Sequence, residues 1–557
     1  MSTSPSNQSK KLFQQGLEAE TAGDYWSALT KFTAALSALG TDATPAEQVT
    51  VWTRIGYVLM RARQYRQSAE AFEFVRTLAP NETDTLYGMA VCYFYLGRQA
   101  EACDLIDRAA LIRPDDYVIA LERAHIRSIA NSDPTEKLAL YQNWGKRFAD
   151  PLISKSKPFS IDLSPMRKLR VGYVSGDMRE HSIAFFLEPV FANHDPENVD
   201  VFVFSTSKAK DKVTDRLKKL VPNWFDVSGM NDDALFTLIR KHKIDILIDL
   251  SGHTQGHKLF VFARRAAPVQ VTWLGYIGGT LGMQAMDYRI TDYGMDPVGN
   301  DQYYVEKLFR VACMASYTPP PESPLALEPP MLANGAPTLV SLNSSKKITD
   351  EMLQLWGRIL EQQEDARLLI HVQEINQEDA LSTLQPKLEQ FGLPMDRVFI
   401  SPTVPLSEFM ERGFIADVAL DTFPISGGTT TLHALWMGLP VVALDSAESV
   451  SASSARTLQG LGLHLLVASN EDEYVKIALL LLNDPASLAM HRKTIRDRMR
   501  ASALMDYKAR CIELENAYRL MWFNFITGNP QYLHSGYDIG NEVESIKTLS
   551  PEQPSAK

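Results

Sequence analysis

Cysteine is scarce in this chain. The four present in 557 residues, Cys92, Cys103, Cys313 and Cys511, are scattered and show no CxxC or Cys/His ligand spacing. Neither a disulfide framework nor a structural zinc site is indicated, and a reducing, cytoplasmic setting is expected. Long apolar runs are missing too: nothing reaches the roughly eighteen residues of a membrane span, and the opening MSTSPSNQSKK is polar, so neither a membrane span nor a cleaved export signal is expected. Positive charge is in deficit. With 56 Lys and Arg against 67 Asp and Glu the formal charge is −11, which removes the broad positive field that non-specific nucleic-acid binding needs. An acidic substrate therefore requires a local basic pocket. The one basic run, Lys208, Lys210, Lys212, Arg216, Lys218 and Lys219, has no interleaved aromatics and reads as a solvated helix face. There is no GxxxxGK[ST] loop, GxSxG elbow or HExxH, and no Asp-x-Asp pair beside a strand in a metal-binding arrangement, so no metal is expected.

What the chain does contain is length and repetition. At this length, with 45% hydrophobic residues, it should divide into roughly three or four compact units. The pattern Gln64-Tyr65…Ser68…Phe72…Val75…Pro80 returns as Gln99…Ala102…Ile106…Ala109…Pro114, an offset of about 34 residues, which is the tetratricopeptide period. An earlier copy runs Gly16…Tyr25…Ala28…Phe32…Ala35, and the stretch Tyr117 to Phe148 is expected to close the stack. After Pro151 short apolar runs alternate with helical segments: LRVGYVSGD, VDVFVFS and IDILIDLSGH, then PTLVSLNS, RLLIHV, RVFI, ADVALD and LPVVAL. Such runs predict buried parallel strands. The fold class is thus α repeats followed by α/β, in successive blocks: repeats over 1–150, a first Rossmann-like half over 151–317, a proline-rich linker over 318–336, a second half over 337–528, and a flexible tail over 529–557. Doubly wound halves bind ligands at the carboxyl ends of their strands.

Five loops at strand ends carry candidate chemistry. DTFPISGGTTTLHALWMG places Gly427 and Gly428 before a hydroxyl-rich helix start at Thr429, Thr430 and Thr431. Amide groups and helix dipole there suit a diphosphate, though the same residues also suit an ordinary capped helix. SLNSSKKI supplies Lys347 just beyond a strand, where an ammonium can meet a phosphate; a solvated lysine fits the spacing equally. His181 follows the first strand of the first half, and His253 and His257 follow another; neutral imidazoles there can serve sugar hydroxyls and phosphate, or simply be satisfied structurally. WLGYIGGT adds backbone freedom at Gly275, Gly278 and Gly279 and an aromatic at Tyr276.

Together, the repeats, VGYVSGDMREHS, DLSGHTQGHKLFVFARRAAPVQVTWLGYIGGT, MDYRITD, SLNSSKKI and ALDTFPISGGTTTLHALWMGLPVV closely resemble the family of O-linked N-acetylglucosamine transferases, from the repeats to Met521-Trp522. The resemblance implies a metal-independent B-type glycosyltransferase fold, its first half on the acceptor side and its second on the nucleotide-sugar donor side. It implies inverting transfer of a sugar, N-acetylglucosamine from UDP-N-acetylglucosamine, to Ser or Thr hydroxyls of proteins, with the repeats helping to select the protein or peptide acceptor. By position it assigns His181 to the reacting centre and His253 to the loop on the sugar side. It assigns Lys347, in the motif opened by Asn343, to the diphosphate, and Thr429 and Thr430 to the phosphates. Gly275 and Tyr276 fall near sugar and acceptor. The base is left as His181 or the leaving phosphate itself. The chain departs from the family pattern at the donor pocket. His433 replaces an acidic residue that bonds the ribose, Phe409 a histidine against the uracil, Gly428 a histidine beside the threonine pair, and Ala452 an arginine. Each lost hydrogen bond costs about 1 kcal/mol. A transferase using another nucleotide sugar, and a catalytically impaired tetratricopeptide scaffold, therefore stand as alternatives.

Overall fold

A buried phenylalanine explains why glycine recurs in the repeats. The computed structural model describes residues 5–40, 43–130, 133–275, 279–321, 323–372, 376–446 and 452–547. Helices α1 (Pro5–Ala22), α2 (Tyr25–Leu39), α3 (Pro45–Arg61), α4 (Tyr65–Leu78), α5 (Thr83–Tyr95) and α6 (Gln99–Ile112) pair as three hairpins, followed by α7 (Tyr117–Ala130) and α8 (Pro134–Trp144). The residues that carry the repeat pattern, Ala28, Phe32, Ala35, Ser68, Phe72, Val75, Ala102, Ile106 and Ala109, are all fully buried. The Phe72 ring of α4 wedges between α3 and α5: a methyl group at Gly56 would come within 2.7 Å of it, and one at Gly88 within 2.3 Å. Close helix approach thus demands glycine on both sides of the ring. Gly88→Ala is expected to cost about 1–3 kcal/mol by overpacking, read as a lower denaturation midpoint of the helical signal.

The chain folds as two units built from exchanged segments: Met1–Asn131, Pro329–Ile425 and Glu471–Pro485 form the first, and Ser132–Glu328, Ser426–Asn470 and Ala486–Lys557 the second. The sequence reading divides the same chain into successive blocks. In the first unit α1–α7 share a body with four parallel strands. The second unit's sheet holds β1 (Leu169–Ser175), β2 (Val199–Ser205), β3 (Asn223–Asp226), β4 (Ile246–Asp249), β5 (Val269–Thr272), β6 (Tyr288–Asp292) and β7 (Lys307–Val311). These run parallel in the order β3-β2-β1-β4-β5-β6-β7, with Leu169 opposite Val199 and Val171 opposite Ile246. Nearly every position of β1, β4 and β5 is buried, which is why the sequence shows apolar runs rather than alternation. The first unit's strands are β8 (Thr338–Ser341), β9 (Arg367–His371), β10 (Val398–Ser401) and β11 (Val418–Leu420), ordered β10-β9-β8-β11. The second unit adds the parallel pair β12 (Val441–Leu444) and β13 (Val467–Ala468).

Two features of the second unit depart from the sequence reading. The helix Tyr507–Thr527, placed by sequence in the second half, packs on the seven-stranded sheet: Leu514, Ala517, Tyr518 and Met521 share a core with Val171, Tyr173 and Val190, and the Tyr518 and Tyr173 hydroxyls lie 2.9 Å apart. The segment 529–547, read from sequence as part of a flexible tail, carries regular structure here: the Arg310 amide donates to the Leu533 carbonyl and the Ser535 amide to the Arg310 carbonyl, continuing the sheet past β7. Tyr532 is 2% exposed, and Val543 and Ile546 of the helix Ile539–Lys547 join the core. The remaining ten tail residues lie outside the described part. The proline-rich stretch after β7 forms no regular element up to Glu328 among the described residues. Its carbonyls are met by cations, since Arg496 donates to Ser323 and Pro324 and buried Arg492 to Ala326. No described helix is long and apolar enough to cross a membrane.

Candidate active site

In the first unit the end of β8 delivers a lysine onto a carboxamide. Residues 345–347 form a 3-10 turn, and Thr349 then caps the helix Asp350–Gln362 by accepting the Met352 amide. The Lys347 ammonium donates to Asn343 Oδ1 at 3.4 Å, and Asn343 Nδ2 donates to Asp421 Oδ1 at 3.2 Å. Asp421 directly follows β11, which pairs with β8 in the register Val340↔Ala419, so the two strand ends bring the residues together. Tyr474 donates its hydroxyl to the Asp421 carbonyl at 2.8 Å. Burial pulls the Lys347 ammonium down to about 8; Asp421 opposes that shift and neighbouring Lys346 adds to it. A half-buried cation whose charge is destabilised by burial gains from an anion brought beside it. Phe409, by contrast, is buried and packs edge-on against His371 at 5.2 Å; burial and Arg412 push that imidazole down to about 4.

In the second unit the helix Thr429–Trp436 starts behind Gly428, whose φ of −125° and ψ of −93° open the turn, with no side-chain cap. Gly428, Thr429 and Thr430 are partly exposed. Thr431 turns inward to Ser454 Oγ at 2.7 Å, while the Ser454 amide donates to Ser426 Oγ at 2.8 Å, so a small hydroxyl cluster fixes the loop before the helix. His433 lies one turn on and faces the interior: it is 4% exposed, 2.7 Å from the Tyr317 hydroxyl through Nδ1, and edge-on to Phe185 at 4.9 Å. Burial drives its imidazole down to about 3. The structure sets His433, which the resemblance assigns to the donor pocket, among the aromatics Tyr317 and Phe185. Ala452 is likewise buried.

The loops after β1 and β4 differ in character. His181 keeps 41% of its side chain exposed, with Nε2 3.8 Å from Asp177 Oδ1. Asp177 also pairs with Arg179 and is itself mostly buried. It was missed in the sequence reading, although an acid four residues before a candidate histidine was the available signal. Asp421 was missed because its link to Lys347 depends on strand register. His253 is held structurally: its ring stacks on Tyr141 of α8 at 4.6 Å and 9°, meets Trp144 edge-on at 5.5 Å, and Nε2 contacts the Leu281 carbonyl at 3.1 Å. Burial pushes neighbouring His257 down to about 4. At Gly275 a methyl would lie 2.1 Å from the Leu250 carbonyl, so only glycine allows the backbone that close. Tyr276 lies outside the described residues. Among those described, one group has metal-ligand chemistry, His194 with Cys511 and Glu515. It lies in the core away from the candidate residues' loops, and His194 Nδ1 is hydrogen-bonded to Glu515 at 2.9 Å and Nε2 to the Tyr173 hydroxyl at 2.8 Å.

The profile of glycosyl transferase family 41 matches residues 152–316 and 331–514. A solved structure of a mutant O-GlcNAc transferase from Thermobaculum terrenum is 33% identical, with a TM-score of 0.86 over 94% of this chain and 99% of that one. The probable UDP-N-acetylglucosamine–peptide N-acetylglucosaminyltransferase SPINDLY of Solanum lycopersicum is 34% identical over 451 residues, 80% of this chain and 48% of that protein. The Arabidopsis thaliana protein SEC, with the same descriptive name, is 30% identical over 380 residues, 66% of this chain and 38% of its own. The chain thus spans about half the length, or less, of these curated relatives.

Proposed function

This chain belongs to glycosyl transferase family 41, and from that premise we propose that it moves N-acetylglucosamine from UDP-N-acetylglucosamine to Ser or Thr hydroxyls of a protein or peptide acceptor, with inversion. The repeats contribute to holding that acceptor. One observation carries the reading: Lys347 is a half-buried ammonium braced by Asn343 and Asp421 and destabilised by burial. As the sugar leaves, negative charge gathers on the β-phosphate, and a fixed cation outside bulk water stabilises that charge more in the transition state than in the ground state. Lys347 therefore does the work that a metal ion would otherwise be asked to do. The resemblance assigns Thr429 and Thr430 to the phosphates, where backbone amides at a helix start favour an anion. His181, beside Asp177, is positioned as the group that orients or receives the acceptor proton.

The test is turnover with its pH dependence. Incubation with UDP-N-acetylglucosamine should release UDP and add one N-acetylhexosamine to Ser or Thr of a peptide library. UDP binding should be strong below pH 8 and weaken as pH rises through about 8, where free Lys347 loses its proton, by up to roughly tenfold per pH unit. Lys347→Arg should flatten that fall, because guanidinium stays charged. A flat wild-type profile, or no transfer, would overturn the reading. A second reading, transfer from a different nucleotide sugar, is favoured by His433 being committed to Tyr317; competition among nucleoside diphosphates for the labelled donor decides between them.

A further inference from the structure

Within the first unit, the residue before Lys347 is seated on the repeats. The Lys346 ammonium lies 4.9 Å from the Tyr95 ring and 5.4 Å from the Phe94 ring, both at the end of α5. Tyr95 is stacked on Tyr65 of α4 at 4.4 Å and 5°, and Phe94 meets His125 of α7 edge-on at 5.4 Å, so the seat is fixed from two sides. The turn's backbone is held there as well: Gln99 at the start of α6 donates its side-chain amide to the Lys346 carbonyl at 3.1 Å, and a methyl at Gly97 would already touch the Ser345 carbonyl at 3.5 Å. A second link ties the same bodies together, where Arg66 of α4 reaches Asp379 at 3.3 Å.

We propose that Lys346 is a positioning residue for the donor site: its seat on the third repeat and α7 orients the 345–347 turn, and its charge tunes the adjacent Lys347. The inference rests on the donor reading of Lys347 given above. Geometry supports it first, because a 3-10 turn of three residues carries both lysines and leaves little freedom between a clamped residue and its neighbour. Charge supports it second. The groups that face Lys346 are Glu122 and His125 of α7, Arg63 before α4, and Lys347 with its partner Asp421. Burial raises Glu122 to about 7, with Lys346 holding it back. Burial and Lys346 lower His125 to about 3. Lys346 is itself lowered by burial, with Glu122 supporting its charge and Arg63 opposing it. Lys346 in turn lowers Lys347.

The experiment is calorimetric binding of UDP to the full chain across pH 6.5–9.5, with steady-state kinetics alongside. Lys346→Met should weaken UDP binding at neutral pH by roughly five- to tenfold and raise KM for the donor more than it lowers kcat. It should also move the alkaline midpoint of binding upward, since a neighbouring positive charge has been removed. Lys346→Arg should restore affinity and midpoint. A variant that merely unfolds in part would lose binding sites without moving the midpoint. As a milder disturbance, Gln99→Leu should weaken binding while leaving the midpoint in place. Lys346→Met and Gln99→Leu variants with wild-type affinity and midpoint would overturn the proposal. Wild-type protein that fails to bind UDP at any pH would overturn the donor reading instead.

Discussion

Lys347→Met is expected to abolish turnover while making the unliganded protein more stable. Removing a charge-assisted partner of the leaving phosphate should lower kcat by about 10²–10³-fold, and UDP affinity should fall by at least tenfold, a charged hydrogen bond being worth about 1.5–3 kcal/mol. The stability change has the opposite sign. Folding lowers the Lys347 ammonium from an ordinary lysine value to about 8, so between about pH 8 and 10 the unfolded chain holds the proton more tightly and stability rises with pH. At neutral pH the folded protein carries that cost in full. Replacing the ammonium with a thioether removes it, for a gain on the order of 1 kcal/mol. Denaturant midpoints for wild type and variant, with and without UDP, check both halves: the variant should be the more stable apoprotein and the less responsive to nucleotide. A lysine serving only as a structural contact would make the variant less stable.

Gly145→Ala should be among the most damaging single-methyl changes available. Gly145 follows α8, and a Cβ there would fall 1.9 Å from the Gly282 carbonyl oxygen; a Cβ at Gly282, where φ is +77°, would fall 2.2 Å from the Tyr141 carbonyl. Backbone faces backbone, so no side chain can swing aside, and α8 must lift off the 279–283 loop. That displacement also pulls Tyr141 from its stack on His253 and disturbs the contact of His253 with Leu281. The expected cost is about 3 kcal/mol together with a loss of transfer activity. The control is Gly357→Ala in the helix Asp350–Gln362, at a position where a methyl meets nothing within 4 Å. That variant should be more stable by about 0.5–1 kcal/mol. Equal midpoints for the two variants would refute the packing argument.

How far the sequence led depends on how local each feature is. The repeats were legible because Phe32, Phe72, Ala102 and Ala109 recur within single helices and bury themselves there. Strands such as β1 and β4 were legible as apolar runs for the same reason. Lys347, Asn343 and the threonine pair stood out through ordered motifs, and the structure places Asn343 against the ammonium. What escaped depends on pairing across long stretches of chain. Asp421 reaches Asn343 only through the register of β11 on β8. The helix Tyr507–Thr527 is buried at nearly every position from Leu514 to Asn524, with Glu515, Arg519 and Asn524 among the buried residues, so its pattern does not announce which sheet it covers. His433 reads from sequence as a polar residue beside a glycine turn, yet its Nδ1 meets the Tyr317 hydroxyl 116 residues away, a pairing that no local pattern announces.

The strand-like segment beside β7 bears on how the protein behaves when shortened. An outermost parallel strand offers a row of unmet amide and carbonyl groups, which invites intermolecular association. Here residues 533–535 occupy that row at Arg310, and Tyr532 and Val543 roof it with apolar surface. A truncation that ends near residue 528 would uncover a sticky border on an otherwise intact catalytic region, and insolubility of such a fragment would be a symptom of lost edge protection.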